Sequence, residues 1–160
     1  MTKQTKLTEK AARIPDTREV QWEEIIPSYL HEVQLLNTES ARSHRFAILV
    51  QQLLGLVPNF IDSYSAGIEK YLKVKQKDRI LKGKADNLFG NVVIEFEAAL
   101  PKKRNEAEEQ LRRYVAILWS QESSQFADHT PYICIATDGV RFVAYSPSLA
   151  GSTKEDITPE

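Results

Sequence analysis

The amino-acid sequence predicts an α/β (α+β) domain in which one mixed sheet is flanked by helices. Three observations predict it. Two stretches, Phe46 to Leu54 and Ala107 to Trp119, carry apolar residues at the three- and four-residue spacing of a helix face. Between and after them lie apolar, β-branched runs bounded by turn residues: Val92 to Phe96, Tyr132 to Thr137 and Val140 to Tyr145. The resulting order of helix, strands, helix and strands suits a sheet covered by helices.

The rest of the composition narrows the class. With 160 residues, 42% hydrophobic and 27% charged, the chain has the length and balance of one soluble domain. No apolar run reaches membrane-spanning length, so no membrane partner is expected, and the N-terminus lacks the apolar centre of a signal peptide. The single cysteine, Cys134, lies in an apolar run and reads as a buried, inert thiol. A cytoplasmic location is the expectation. Net charge is -1, which announces no polyanion partner globally. Locally, Lys70, Lys73, Lys75, Lys77, Arg79, Lys82 and Lys84 crowd one segment, and Lys102-Lys103-Arg104 form a second basic cluster. Solvated faces are the ordinary meaning of such runs.

Taken in order, residues 1–36 read as a polar arm followed by a helix. That helix starts near Asp16 or Thr17, with Trp22, Ile25 and Ile26 as its stripe. Pro27 is expected to kink it or to force a fresh start near Ser28. Tyr29, Leu30, Val33, Leu35 and Leu36 continue the apolar face, and His31 is a surface imidazole. Residues 37–146 form the core. Asn37 or Thr38 caps its first long helix, in which Arg42, His44 and Arg45 read as a solvated face, and Gly55 and Pro58 end it. The stretch from Asn59 to Gly67 reads as a loop. Ile68 to Ile80 follow as one or two short strands with basic residues outward. Lys102 to Ser120 form the second helix, and the polar Gln121 to Thr130 a loop with His129 on its surface. Asp138-Gly139 then turns the final hairpin. Residues 147–160 are a polar tail, read as a linker or free end.

The most informative stretch runs from Lys84 to Glu97. An arm carrying Asp86, a Gly90-Asn91 turn and a β-branched return strand make a hairpin. On the return strand Val92, Ile94 and Phe96 share one face; Val93, Glu95 and Glu97 share the other. Asp86 can approach the two glutamates across the turn. Three gathered carboxylates repel, so at least one is expected to stay protonated unless a hard divalent cation joins them. An exposed strand with alternating Glu is the plainer reading of the same residues.

These residues resemble the PD-(D/E)XK nuclease motif: Asp86, eight intervening residues, then Glu95-Phe96-Glu97. Thirteen residues beyond Glu97, Gln110-Leu111-Arg112-Arg113-Tyr114 resembles the Q-x-x-x-Y motif of the RecB-like branch, which includes type I restriction enzyme nuclease domains. The resemblance implies a restriction-endonuclease-like αβββαβ core, here with an extra N-terminal helix. It further implies a Mg²⁺-dependent DNA endonuclease of restriction-modification type, with Mn²⁺ as a substitute ion. Asp86 and Glu95 match the metal carboxylates, with the Phe96 carbonyl as a further ligand. Glu39 matches the extra acidic residue near the metal, and Gln110 and Tyr114 the helix pair beside the DNA strand. Lys84, Lys102, Lys103, Arg104 and Gln110 are the expected DNA contacts.

One position departs from the pattern: Glu97 stands where the family has lysine. It is expected to serve as a base or second-metal ligand, with Lys102 or Lys103 supplying the missing charge. The alternative is a catalytically silent nuclease-fold module that binds DNA or assembles with helicase or methyltransferase domains or subunits. A third reading is an unrelated α/β interaction domain. No phosphate-binding loop of an ATP motor is present.

Overall fold

Five strands build one mixed sheet in the order β1-β2-β3-β4-β5 in the computed structural model, which describes residues 22–54, 59–75, 80–122, 129–150 and 158–159. They are β1 (Ile68–Lys75), β2 (Ile80–Phe89), β3 (Val92–Phe96), β4 (Ile133–Thr137) and β5 (Phe142–Tyr145). Strand pairs β1-β2, β2-β3 and β4-β5 are antiparallel; β3-β4 is parallel. A parallel neighbour requires a crossover, and helix α4 (Leu100–Gln121) supplies it. The expected hairpin is present with Gly90-Asn91 as its two-residue loop. Gly90 has φ +55°, the sign that the first residue of a II′ turn demands.

Helices cover both faces, which explains why β3 is apolar on both. On one face α4 lays Leu111, Tyr114, Val115 and Leu118 against Val93, Cys134 and Ala136. Pro101 stands in the first turn of α4, where its missing N–H costs nothing. On the other face α2 (Glu39–Leu54) and α3 (Phe60–Gly67) pack Val50 and Tyr64 on Ile94 and Phe96. The hydroxyl of Thr38 accepts the Ala41 N–H at 3.2 Å and so caps α2. Helix α1 (Trp22–Gln34) lies outside α2, burying Tyr29 and Val33 against Leu49. Burial of each such side chain is worth roughly 1.5–3 kcal/mol. No helix among the described residues is long and apolar enough to cross a membrane.

Several expectations are corrected. Asn59 to Gly67 is not a loop, because Phe60-Ile61-Asp62-Ser63-Tyr64 wind into α3. Asn59 starts it in the left-handed region, its carbonyl accepts the Ser63 N–H at 3.1 Å, and Phe60 and Tyr64, one turn apart, both pack on Phe89. Pro27 neither breaks nor restarts α1, which runs through it to Gln34. Leu35 follows the end of that helix and is 68% exposed instead of continuing its face. Arg42 and Arg45 are not solvated. Arg42 donates to the carbonyls of Leu36 at 2.8 Å and Asp138 at 2.7 Å, while Arg45 pairs with Glu32 and lies over the Tyr29 ring.

His129 is not plain loop surface either, since its side chain is 7% exposed beside Glu122 and Trp119. The tail forms a two-stranded ribbon, β6 (Leu149–Ala150) with β7 (Thr158–Pro159), and β7 lies against α4. The expected helix start at Asp16 or Thr17, the Gly55 and Pro58 stop, and Lys77 and Arg79 fall outside the described residues.

Arg42 ties the α1–α2 connection to the β4–β5 turn by hydrogen bonds, since its two donors point at carbonyls in each. Arg42→Ala should lower stability by about 2–3 kcal/mol, the scale of charge-assisted bonds to buried carbonyls. Arg42→Lys should recover only part of it, because an ammonium cannot span both acceptors as the planar fork does. Urea denaturation midpoints of the three proteins check this.

Candidate metal and nuclease site

Register brings the first two residues together. The β2-β3 pairs Asn87↔Ile94, Leu88↔Val93 and Phe89↔Val92, continued by one step, set Asp86 opposite Glu95. There the ladder changes character. Asp86 Oδ2, not a backbone carbonyl, accepts the Phe96 N–H at 2.6 Å. Residues 80–85 of β2 then continue with β1 alone, past the end of β3. A distortion accompanies the departure. Leu81 and Gly83 turn toward α4 in the first half of β2, whereas Asp86 and Leu88 do so in the second. Glu69, which the register sets opposite Asp86, holds φ +53°, a conformation that costs a non-glycine residue on the order of 1 kcal/mol.

The face carrying Glu95 is not open to water, as an exposed acidic strand would be. Tyr114 of α4 lies across it, its hydroxyl 3.0 Å from the Lys84 carbonyl and 3.2 Å from Gln110 Oε1. Gly83 makes this approach possible: a Cβ there would stand 2.5 Å from Tyr114 Cε1. Glu95 is 6% exposed, and its Oε2 is fully buried with no hydrogen-bond partner. Burial, reinforced by Asp86 and Glu39 and opposed by the Tyr114 hydroxyl, pushes the Glu95 carboxyl up to about 8. Burial also raises Asp86, against the Phe96 N–H and Lys84, with Glu39 and Glu69 acting in the same direction as burial. Tyr114 is pushed upward by burial and by both carboxylates.

Glu39 is exposed at the first position of α2, yet near enough to act on Asp86, Glu95 and Lys103. It therefore borders the site electrostatically. Glu97 is held differently from Glu95. Its Oε1 accepts the Ala99 N–H at 3.1 Å, and its Oε2 lies 3.3 Å from Lys103 Nζ. Glu97, then Glu106 and Glu39, hold Lys103 above the ordinary ammonium value. The basic cluster is split by a non-helical turn at Lys103, with φ -115° and ψ 23°. Lys102 is exposed, Lys103 faces Glu97, and Arg104 donates to the Tyr145 hydroxyl at 3.2 Å, over the far strand of the sheet. Lys84 is exposed and pairs with Glu69 at 3.2 Å.

Sequence reasoning missed Gly83, whose place inside a strand was the available signal, and Asn87, a buried amide that donates to the Tyr64 carbonyl at 3.2 Å. Among the described residues, no three His, Cys, Asp or Glu side chains converge as a ready metal cage. Magnesium does not require one. It is commonly held by one or two carboxylates and keeps several of its waters. Two juxtaposed carboxylates, one with an unpartnered buried oxygen, fit such an ion. Comparison with family models, with curated proteins and with solved structures gives no match for this chain.

A pH dependence follows from Glu95. Its folded value, about 8, lies above the ordinary 4.5, so the folded state holds a proton that the unfolded state releases. This contribution to stability is present in full below about 4.5 and is lost as pH rises through about 8. Asp86 acts with the same sign. Metal-free protein should thus melt at a lower temperature at alkaline than at mildly acidic pH, and Glu95→Gln should flatten the dependence. A melting series in chelator that shows no difference between the two proteins would place the proton elsewhere.

Proposed function

We propose that the chain is a Mg²⁺-dependent DNA endonuclease domain of restriction-modification type, built on a restriction-endonuclease-like core. One observation carries the reading: the register and the departure of β2 from β3 seat Asp86 against Glu95, whose buried Oε2 makes no hydrogen bond. Burying two carboxylates together costs stability unless something charged or protic compensates. The five-stranded mixed sheet with α2 before it and α4 as crossover supports the same reading.

In this proposal Asp86 and Glu95 hold the divalent ion and Glu39 adds negative charge at its border. When bound, the ion would acidify a water and stabilise the leaving oxygen of a phosphodiester. Asp86 is oriented for that work by the Phe96 N–H. Tyr114 closes the inner wall, and its hydroxyl holds Gln110 beside it through Oε1. Lys103 takes the place of the missing motif lysine. Its ammonium already lies in the field of Glu97 and Glu39, where a scissile phosphate would meet it.

The silent-module alternative has its own supporting observation. Glu97 is engaged in bonds to the Ala99 N–H and Lys103, so it is a local brace and not a poised base. Assembly with helicase or methyltransferase partners belongs to either reading.

Calorimetry with Mn²⁺ and cleavage of supercoiled plasmid test the proposal together. Asp86→Ala should abolish ion binding and cleavage while the fold persists; unchanged ion affinity would sink the reading. Lys103→Ala should leave ion affinity nearly intact and slow cleavage about 10²–10³-fold, the usual cost of removing one electrostatic stabiliser of the transition state. A wild type that binds Mn²⁺ and DNA but cuts neither strand selects the silent module.

A further inference from the structure

The hairpin of β1 and β2 extends past the end of β3, and its two faces differ completely. Leu72, Val74 and Leu81 pack against α4. The opposite face carries Lys73, Lys75, Lys82 and Lys84, with Tyr71 and Ile80 among them. Nothing among the described residues covers it: Tyr71 is 60% and Ile80 56% exposed.

The cross-strand register sets like charges against each other. Lys73 stands directly opposite Lys82, and Tyr71 opposite Lys84. Like charges in direct opposition destabilise a strand pair. Of these four lysines, only Lys84 has an acidic partner among the described residues, Glu69. The face thus concentrates positive charge, mostly unpaired among the described residues, on a two-stranded ribbon. Along each strand, alternate residues stand about 7 Å apart, so the ribbon offers ammonium groups in two rows. The row on β2 runs through Lys82 to Lys84, near enough to act on the Asp86 carboxyl, which itself turns to the α4 side beyond the distortion.

We propose that this face binds the phosphate backbone of DNA beside the Asp86–Glu95 pair. The choice of DNA as occupant rests on the nuclease reading; the surface itself rests on register, exposure and charge. Lysines contact phosphates as point charges without reading sequence, so the binding is sequence-independent and weakens steeply with salt. Tyr71 and Ile80 add apolar contact beside the charges. Lysine is also used to keep free strand edges from pairing with other chains. That use does not call for two lysines directly opposed on one face.

The test uses the full chain with a short fluorescent duplex, titrated in chelator across a range of salt concentrations, and the variant Lys73→Gln/Lys75→Gln/Lys82→Gln. None of the three residues belongs to the carboxylate site, and removing the Lys73–Lys82 repulsion should hold or raise the melting temperature. The slope of log affinity against log salt should fall by about 3, close to one for each phosphate no longer neutralised, and equally for unrelated duplex sequences.

Wild-type DNA binding that is unchanged in the variant overturns the proposal and leaves the nuclease reading standing. So does equal binding of poly-glutamate, which would mark a general polyanion surface. Mn²⁺ calorimetry on the same two proteins keeps the accounts apart. Slope loss in the variant, with a wild type that binds no Mn²⁺, supports the DNA face and removes the nuclease reading. Mn²⁺ binding without any DNA binding overturns the DNA face and leaves only the metal site standing.

Discussion

Strand β3 is buried on both faces, and everything of chemical interest follows from placing a glutamate there. A strand covered by α4 on one side and by α2 and α3 on the other offers no solvent to an ionised side chain. Water or a ligand can reach Glu95 only where the sheet itself comes apart. The structure comes apart at Asp86, where a carboxylate replaces the backbone acceptor and β2 leaves its neighbour. The same step that anchors Asp86 through the Phe96 N–H thus sets it beside the buried Glu95.

Much of this was legible in the chain. Gly90-Asn91 between apolar arms fixed the hairpin, and a two-residue loop leaves little freedom in register, so Asp86 and Glu95 had to meet. Helical periodicity likewise placed Gln110 and Tyr114 one turn apart on the face of α4 that reaches the sheet. What could not be read was the consequence of layering. Alternation along β3 separates two faces but does not tell which is wet, because that depends on where α4 docks, far along the chain. The polar run Asn59 to Gly67 hid a helix for a related reason: Phe60 and Tyr64 become an apolar stripe only once Phe89 is beside them. The three consecutive basic residues after Pro101 looked like one patch, yet a single non-helical residue at Lys103 sends them to different partners.

Glu97 shows how a sequence position and the chemistry expected of it can part company. Strand β3 ends at Phe96, although the Glu97 N–H still donates to the Thr137 carbonyl at 2.9 Å, so strict alternation no longer governs where the Glu97 side chain points. Its carboxylate turns to the start of α4, accepts an amide there and draws Lys103 inward. Positive charge is therefore present beside Glu97, contributed from the next element. Substituting one residue type for another at a motif position says little until the neighbouring helix start is known.

The parallel pairing of β3 with β4 also bears on how the molecule assembles. The β2–β3 hairpin closes locally, whereas β4 can join only after the whole of α4 has been threaded between, a long and entropically costly loop. Asp86 and Glu95 accordingly meet while still hydrated, and their desolvation is deferred until α4 docks. The electrostatic cost of the site then falls on a late folding barrier and not on nucleation. Stopped-flow refolding at several pH values reads this order directly, because alkaline conditions should slow the docking phase and leave hairpin closure unaffected.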